Sequence, residues 1–147
     1  MSAGSVVSTA VSVSPPQVPA VDNATDLEVE PVIQAGTGSP PEGLVTADLV
    51  VGDGTVAAAT STVTIRYAGA LYSNGKVFDA SPWASGQPAV FPLNEVVPGF
   101  AKGIAGMKVG GRRELVIPPS MGYGSGTNGP IPGNSTLVFV VDLLAVS

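Results

Sequence analysis

Five separated stretches carry the residues fit for chemistry. They are Tyr67 in a long alternating segment, Phe78-Asp79 after an Asn-Gly turn, Glu95-Val96-Val97-Pro98-Gly99-Phe100 ahead of a short helical pattern, Tyr123-Gly124 in a glycine-rich loop, and Phe139 in the last apolar run. Aromatic rings, phenol hydroxyls and carboxylates are the types on offer. The 147 residues include no His and no Cys, which excludes Ser-His-Asp and Cys-His sites, thiolate nucleophiles, Cys/His zinc sites and imidazole proton shuttles. What remains is chemistry by carboxylates, hydroxyls, backbone groups or the shape of a site, with neither metal nor cofactor expected.

Two apparent motifs are set aside. Gly124-Ser-Gly126-Thr-Asn-Gly129 fits G-x-G-x-x-G, but that fingerprint binds a dinucleotide only between a strand and a helix whose N-terminus receives the pyrophosphate. Here Pro118 and Pro119 precede it and Pro130 and Pro132 follow, so it reads as a loop. A carboxylate hydrolase built on Asp79 and Glu95 is disfavoured, because nothing in the sequence places a second acid in the same apolar cleft.

The elements that must position these residues are mostly strands. Gly (19) and Pro (14) are frequent enough to disfavour long helices. Asp48 to Gly54 reads as a short strand closed by an Asp-Gly turn. From Ser61 to Tyr72 the chain alternates, with Val63, Ile65, Tyr67 and Leu71 on one face and Thr62, Thr64 and Arg66 on the other. Asn74-Gly75 predicts a hairpin returning through Lys76-Val77-Phe78. Pro98 opens the one expected helix, running to Met107, and Gly103 and Gly106 weaken it, so packing of Phe100, Ile104 and Met107 must hold it. Arg112 to Ile117 forms another strand. Ser135 to Val146 is apolar on both faces, as a central strand should be. The fold class expected is α+β, a twisted antiparallel sheet of about five strands wrapped over one short helix.

Ahead of this domain, placed at residues 47–147, residues 1–25 read as a disordered Ser/Val/Pro-rich tail and 26–46 as an extended arm or linker. Residues 1–65 hold seven acids and no Lys or Arg, while the remainder holds six basic and four acidic residues. No basic stripe for nucleic acid results. No apolar run nears the roughly 20 residues of a membrane span. The tail lacks the basic n-region of a signal peptide, yet it resembles the tethers of extracytoplasmic bacterial domains. The compartment stays open, with secretion or the cell envelope the favoured side.

Taken in order, Val77-Phe-Asp-Ala-Ser81, Val96-Val-Pro-Gly-Phe100, Gly103-Ile-Ala-Gly-Met-Lys-Val-Gly110, Ile117-Pro-Pro-Ser-Met-Gly-Tyr-Gly124 and Leu137-Val-Phe139 with Asp142-Leu-Leu144 resemble the successive blocks of an FKBP domain. The resemblance covers about Asp48 to Val146 and implies a single-domain, bacterial peptidyl-prolyl cis-trans isomerase acting in protein folding. It further implies an aromatic pocket lined by Tyr67, Phe78, Asp79, Val96, Val97, Phe100, Tyr123, Ile131 and Phe139. Among these, Asp79, Tyr123, Phe78 and Phe139 would be catalytic. Tyr67, Val96, Val97, Phe100 and Ile131 would hold substrate. The partners implied are proline-containing unfolded or flexible segments and macrolides of the rapamycin type.

The chain departs from the family at three places. Phe100 stands where many members have Trp, Ala89 where some have a pocket-edge Phe, and the segment from Pro82 to Gln87 lacks the Arg that often pairs with the pocket acid. Asp79 is therefore expected to rely on Tyr67 or backbone donors, and Trp83 to pack on the sheet edge. The competing reading is a module that binds proline segments with little or no turnover.

Overall fold

The computed structural model describes residues 18–81, 83 and 87–147. Most of the segment read as a tail lies outside the described residues, and its end needs correcting. Val21–Asp22 (β1) pairs antiparallel with Val32–Ile33 (β2), so ordered chain begins before residue 25.

The main sheet contains Val45–Val50 (β3), Thr62–Leu71 (β4), Val77–Ala80 (β5), Ala89–Pro92 (β6), Arg112–Ile117 (β7) and Leu137–Val146 (β8). Its order is β3-β7-β8-β4-β5, with β6 pairing the first half of β4 beside β5, and every pairing is antiparallel. It has six strands rather than about five. The addition, β6, is an edge strand between Pro88 and Pro92, where proline is tolerated but hides the strand pattern. As its two-sided hydrophobicity predicts, β8 lies in the middle.

One helix, Pro98–Ile104 (α1), crosses the inner face of the sheet. It stops three residues short of Met107, which is nonetheless buried. A Cβ on Gly103 would come within 2.7 Å of Leu115 Cδ2 on β7. The glycine that weakens the helix intrinsically is thus what lets its backbone rest on the sheet. Val63, Ile65, Leu71, Ile104, Leu115, Ile117, Leu137, Val141 and Leu143 close the inner core, each fully buried side chain of this size contributing about 1.5–3 kcal/mol.

The outer face is covered too. Ile33 and Tyr72 pack on Ala68, Ala70, Val116, Val138 and Val140, the two alanines leaving room for the β1–β2 strap. Beneath the strap lies Arg112, 0% exposed. It grips Asp142, its register partner on β8, through Nε (2.5 Å) and Nη2 (2.8 Å). Its remaining donors reach the strap carbonyls of Asn23 (2.6 Å) and Val29 (3.1 Å). Trp83, expected to pack on the sheet edge, has the Arg66 and Arg112 guanidinium carbons 5.7 and 5.9 Å from its ring centroid. No helix among the described residues is long and apolar enough to cross a membrane.

Glu114, 1% exposed on β7, has no hydrogen-bond partner for its Oε2. Burial pushes its carboxyl up from 4.5 to about 8. Between these values the folded chain holds a proton that the unfolded chain has released, so the contribution of Glu114 to stability is fully present below about pH 4.5 and is lost as pH rises toward 8. A loss of about 3.5 kcal/mol between pH 5 and 8 is expected from this one group. Chemical denaturation across that range checks it, and Glu114→Gln should flatten the slope.

Candidate functional site

Between α1 and the inner face of the sheet lies a cavity of about 320 Å³ lined by Tyr67, Asp79, Phe91, Val96, Phe100 and Phe139, with Glu95, Val97 and Tyr123 completing it. Each wall follows from its element. The alternation of β4 turns Tyr67 inward, and Phe139 comes from β8 directly opposite Gly69. Pro98 starts α1 so that Phe100, 5% exposed, faces the sheet as the floor.

The rings hold one another. The Phe100 centroid lies 5.0 Å from Phe139, 6.2 Å from Phe91 and 6.4 Å from Tyr67, all near-perpendicular. Edge-to-face pairs of this kind contribute about 0.5–1.5 kcal/mol each beyond area burial. Gly69 makes the arrangement possible, since a Cβ there would meet Phe139 Cε1 at 2.6 Å and Phe78 Cζ at 3.0 Å. Gly69→Ala is expected to tilt Phe139 into the cavity, cost about 1–3 kcal/mol of stability and lower kcat/KM about tenfold. Thermal melts and an isomerisation assay check both effects.

The β4–β5 register slips between Gly69 and Ala70, so that Val77 faces Ala70 and Asp79 faces Gly69 with Phe78 as the extra residue. Such a bulge re-aims side chains. It lets the consecutive residues Phe78 and Asp79 both address the inner face. The Tyr67 hydroxyl donates to Asp79 Oδ2 at 2.9 Å, which supplies the acid with the tyrosine partner expected in place of an arginine. Burial, and then the hydrogen bond and charge of Asp79, raise the Tyr67 phenol well above its usual range, so it remains a protonated donor. Tyr123, 41% exposed, stands at the mouth. Among the described residues the Val97 N–H donates to no backbone carbonyl.

Seven of the nine residues expected in the pocket line this cavity. The other two, Phe78 and Ile131, lie beside it. Phe78 stacks edge-on behind Phe139, with centroids 5.4 Å apart, and Ile131, 5% exposed, is buried in the surrounding core. Both belong to the same cluster as the rings that line it. Phe91 was missed, although it shares a face with Ala89 two residues earlier on β6, and it lines the cavity. The acids Asp79 and Glu95 line one cavity, against the expectation that no second acid would share the cleft. Among the described residues no three His, Cys, Asp or Glu side chains gather to hold a metal.

An antiparallel sheet laid over a short helix thus encloses a recess walled mainly by aromatic rings. Residues 54–144 match the FKBP-type peptidyl-prolyl cis-trans isomerase family. The chain is 44% identical over 117 residues to a probable FK506-binding protein of Corynebacterium glutamicum, covering 79% of this chain and 98% of that one. It is 45% identical over 121 residues to an FK506-binding protein of Streptomyces anulatus, covering 80% and 97%.

Among solved structures, FkpA from Escherichia coli superposes with a TM-score of 0.65 at 44% identity over 71% of this chain, which spans about half of FkpA (48%). AtFKBP13 superposes with a TM-score of 0.63 at 36% identity, covering 73% of this chain and 95% of that one. The chain belongs to the FKBP-type peptidyl-prolyl cis-trans isomerase family, and its activity is the rotation of peptide bonds that precede proline.

Proposed function

We propose that the isomerisation takes place in the cavity between α1 and the sheet, and that the cavity works by enclosing a twisted amide. Rotation about the bond must overcome about 18–20 kcal/mol of lost amide resonance, and unaided it takes tens to hundreds of seconds. No bond is made or broken, so a nucleophile is unnecessary. Twisting localises the nitrogen lone pair and makes the carbonyl less polar, and an apolar site favours that state over either planar isomer. A barrier lowered by about 5 kcal/mol gives roughly 10³- to 10⁴-fold acceleration.

The observation that carries this reading is the closed ring of aromatic contacts about Phe100. Phe100 is the floor under the prolyl ring, with Phe139, Tyr67, Val96 and Phe91 as walls. Asp79 fixes Tyr67 by accepting its hydroxyl proton. Tyr123 donates to a substrate carbonyl, and the Val97 N–H holds the neighbouring peptide unit. Phe78 and Ile131 act from behind the lining.

Exchange NMR on a Leu-Pro peptide tests the reading, with no acceleration at micromolar enzyme as the result that sinks it. Peptide affinity without acceleration would favour the binding module instead. Macrolides whose pipecolyl ring imitates proline should occupy the same cavity, in keeping with the names of the two bacterial relatives. In a calorimetric titration with rapamycin, Phe100→Leu is expected to weaken binding at least tenfold.

A further inference from the structure

Apart from the hydroxyls of Tyr67 and Tyr123, the polar side chains of the cavity are two carboxylates, and no positive charge among the described residues that line it answers them. Asp79 and Glu95 are its only charged lining residues among those described. The segments 81–90 and 120–136, which lead into Phe91 and contain Tyr123, hold no charged residue at all. The chain's six cations are placed elsewhere. Arg112 is buried on Asp142 under the strap, Arg66 lies over Trp83 on the same outer face, and Arg113 pairs with Asp48. Lys76, Lys102 and Lys108 are in the hairpin turn, in α1 and after it, and none lines the cavity. Asp79 is held by a neutral donor, the Tyr67 hydroxyl, so its charge is not cancelled.

A recess with low-dielectric walls and charges of one sign focuses its field on whatever enters. We propose that this cavity selects proline-containing segments in which Lys or Arg flanks the prolyl residue, with Asp79 and Glu95 as the charges that select them. The inference rests on the isomerase reading of the cavity and names its preferred substrate class. The prolyl ring supplies the apolar contact. A neighbouring ammonium or guanidinium at the mouth meets the carboxylates, whereas an acidic neighbour is repelled. Exposed carboxylates at a rim act mainly on encounter and on discrimination between partners, so the preference must depend on salt.

The test uses the whole chain and three otherwise identical peptides with Lys, Leu or Glu before proline, plus a second set with the same substitution after it. Affinity by NMR titration and turnover by exchange NMR are measured separately at 20 and 500 mM salt. In at least one set, the Lys peptide is expected to exceed the Glu peptide about tenfold at low salt and about twofold at high salt. Glu95→Gln should reduce the low-salt ratio about threefold. Asp53→Asn, which removes the same charge far from the cavity, should leave the ratio unchanged.

Equal affinities for Lys and Glu peptides in both sets at 20 mM salt would overturn the inference. So would an effect of Asp53→Asn as large as that of Glu95→Gln, because the preference would then reflect net charge. If the ratio appears in affinity while no peptide is turned over, charge selection stands and the isomerase reading falls. If the Leu peptide is turned over without any charge ratio, the isomerase reading stands and charge selection falls.

Discussion

Phe100→Leu is expected to lower kcat/KM by about 10²-fold while costing about 2 kcal/mol of stability, since leucine fills most of the volume but loses three edge-to-face contacts of about 0.5–1.5 kcal/mol each. The two effects part because the ring has two jobs. It fills the gap between α1 and the sheet, which leucine can do nearly as well. It also supplies the flat face at the centre of the aromatic contacts with Phe139, Phe91 and Tyr67, which leucine cannot. A flat floor stacks on a prolyl ring and keeps water from the twisted amide, so its loss falls on the transition state.

Phe100→Ala would confuse the two jobs, since emptying the site costs about 3–5 kcal/mol and would unfold part of the population. Phe100→Trp completes the series by restoring a larger aromatic floor, and should keep activity within about threefold. Leucine turning over within threefold of phenylalanine would remove Phe100 from the mechanism and leave it as core.

Much of this site can be read from the chain because its parts are local. The alternation from Val63 to Leu71 turns Tyr67 inward, Asn74-Gly75 brings Phe78 and Asp79 back beside it, and Pro98 starts the helix that carries Phe100. Phe91 escaped because β6 is four residues long and bounded by prolines, too short for a period to show. Phe78 and Ile131 were placed in the lining because residue type and order cannot separate a ring that touches ligand from one a layer behind it. For Phe78 the direction is set by the bulge between Gly69 and Ala70, which depends on pairing register.

The strap was legible only in part, as the extended arm over residues 26–46 that carries Ile33. It is held through the backbone carbonyls of Asn23 and Val29, which lie 89 and 83 residues from Arg112 and carry no side-chain signature. Glu114 was hidden likewise, since a charged residue alternating in a strand reads as solvent-facing until something unexpected covers it.

That cover is the basis of the second large effect. Asp142→Asn removes the charge opposing a fully buried guanidinium and is expected to cost about 3–5 kcal/mol, the penalty of an uncompensated buried ion. Replacing both partners, Arg112→Met with Asp142→Leu, should recover most of that loss, because a well-packed apolar pair often equals a buried ion pair. The recovery cannot extend to the strap, which loses the donors that reached Asn23 and Val29. The Gln34 amide, bonded to the Ala20 carbonyl at 2.9 Å across the strap, should then exchange with deuterium at least tenfold faster than in the unaltered chain. Isomerisation should stay within about twofold, because the cavity is on the other face of the sheet. Slow Gln34 exchange in the double variant would show that Ile33 and Tyr72 hold the strap unaided. A parallel loss of turnover would show that the two faces are coupled through β4 and β8.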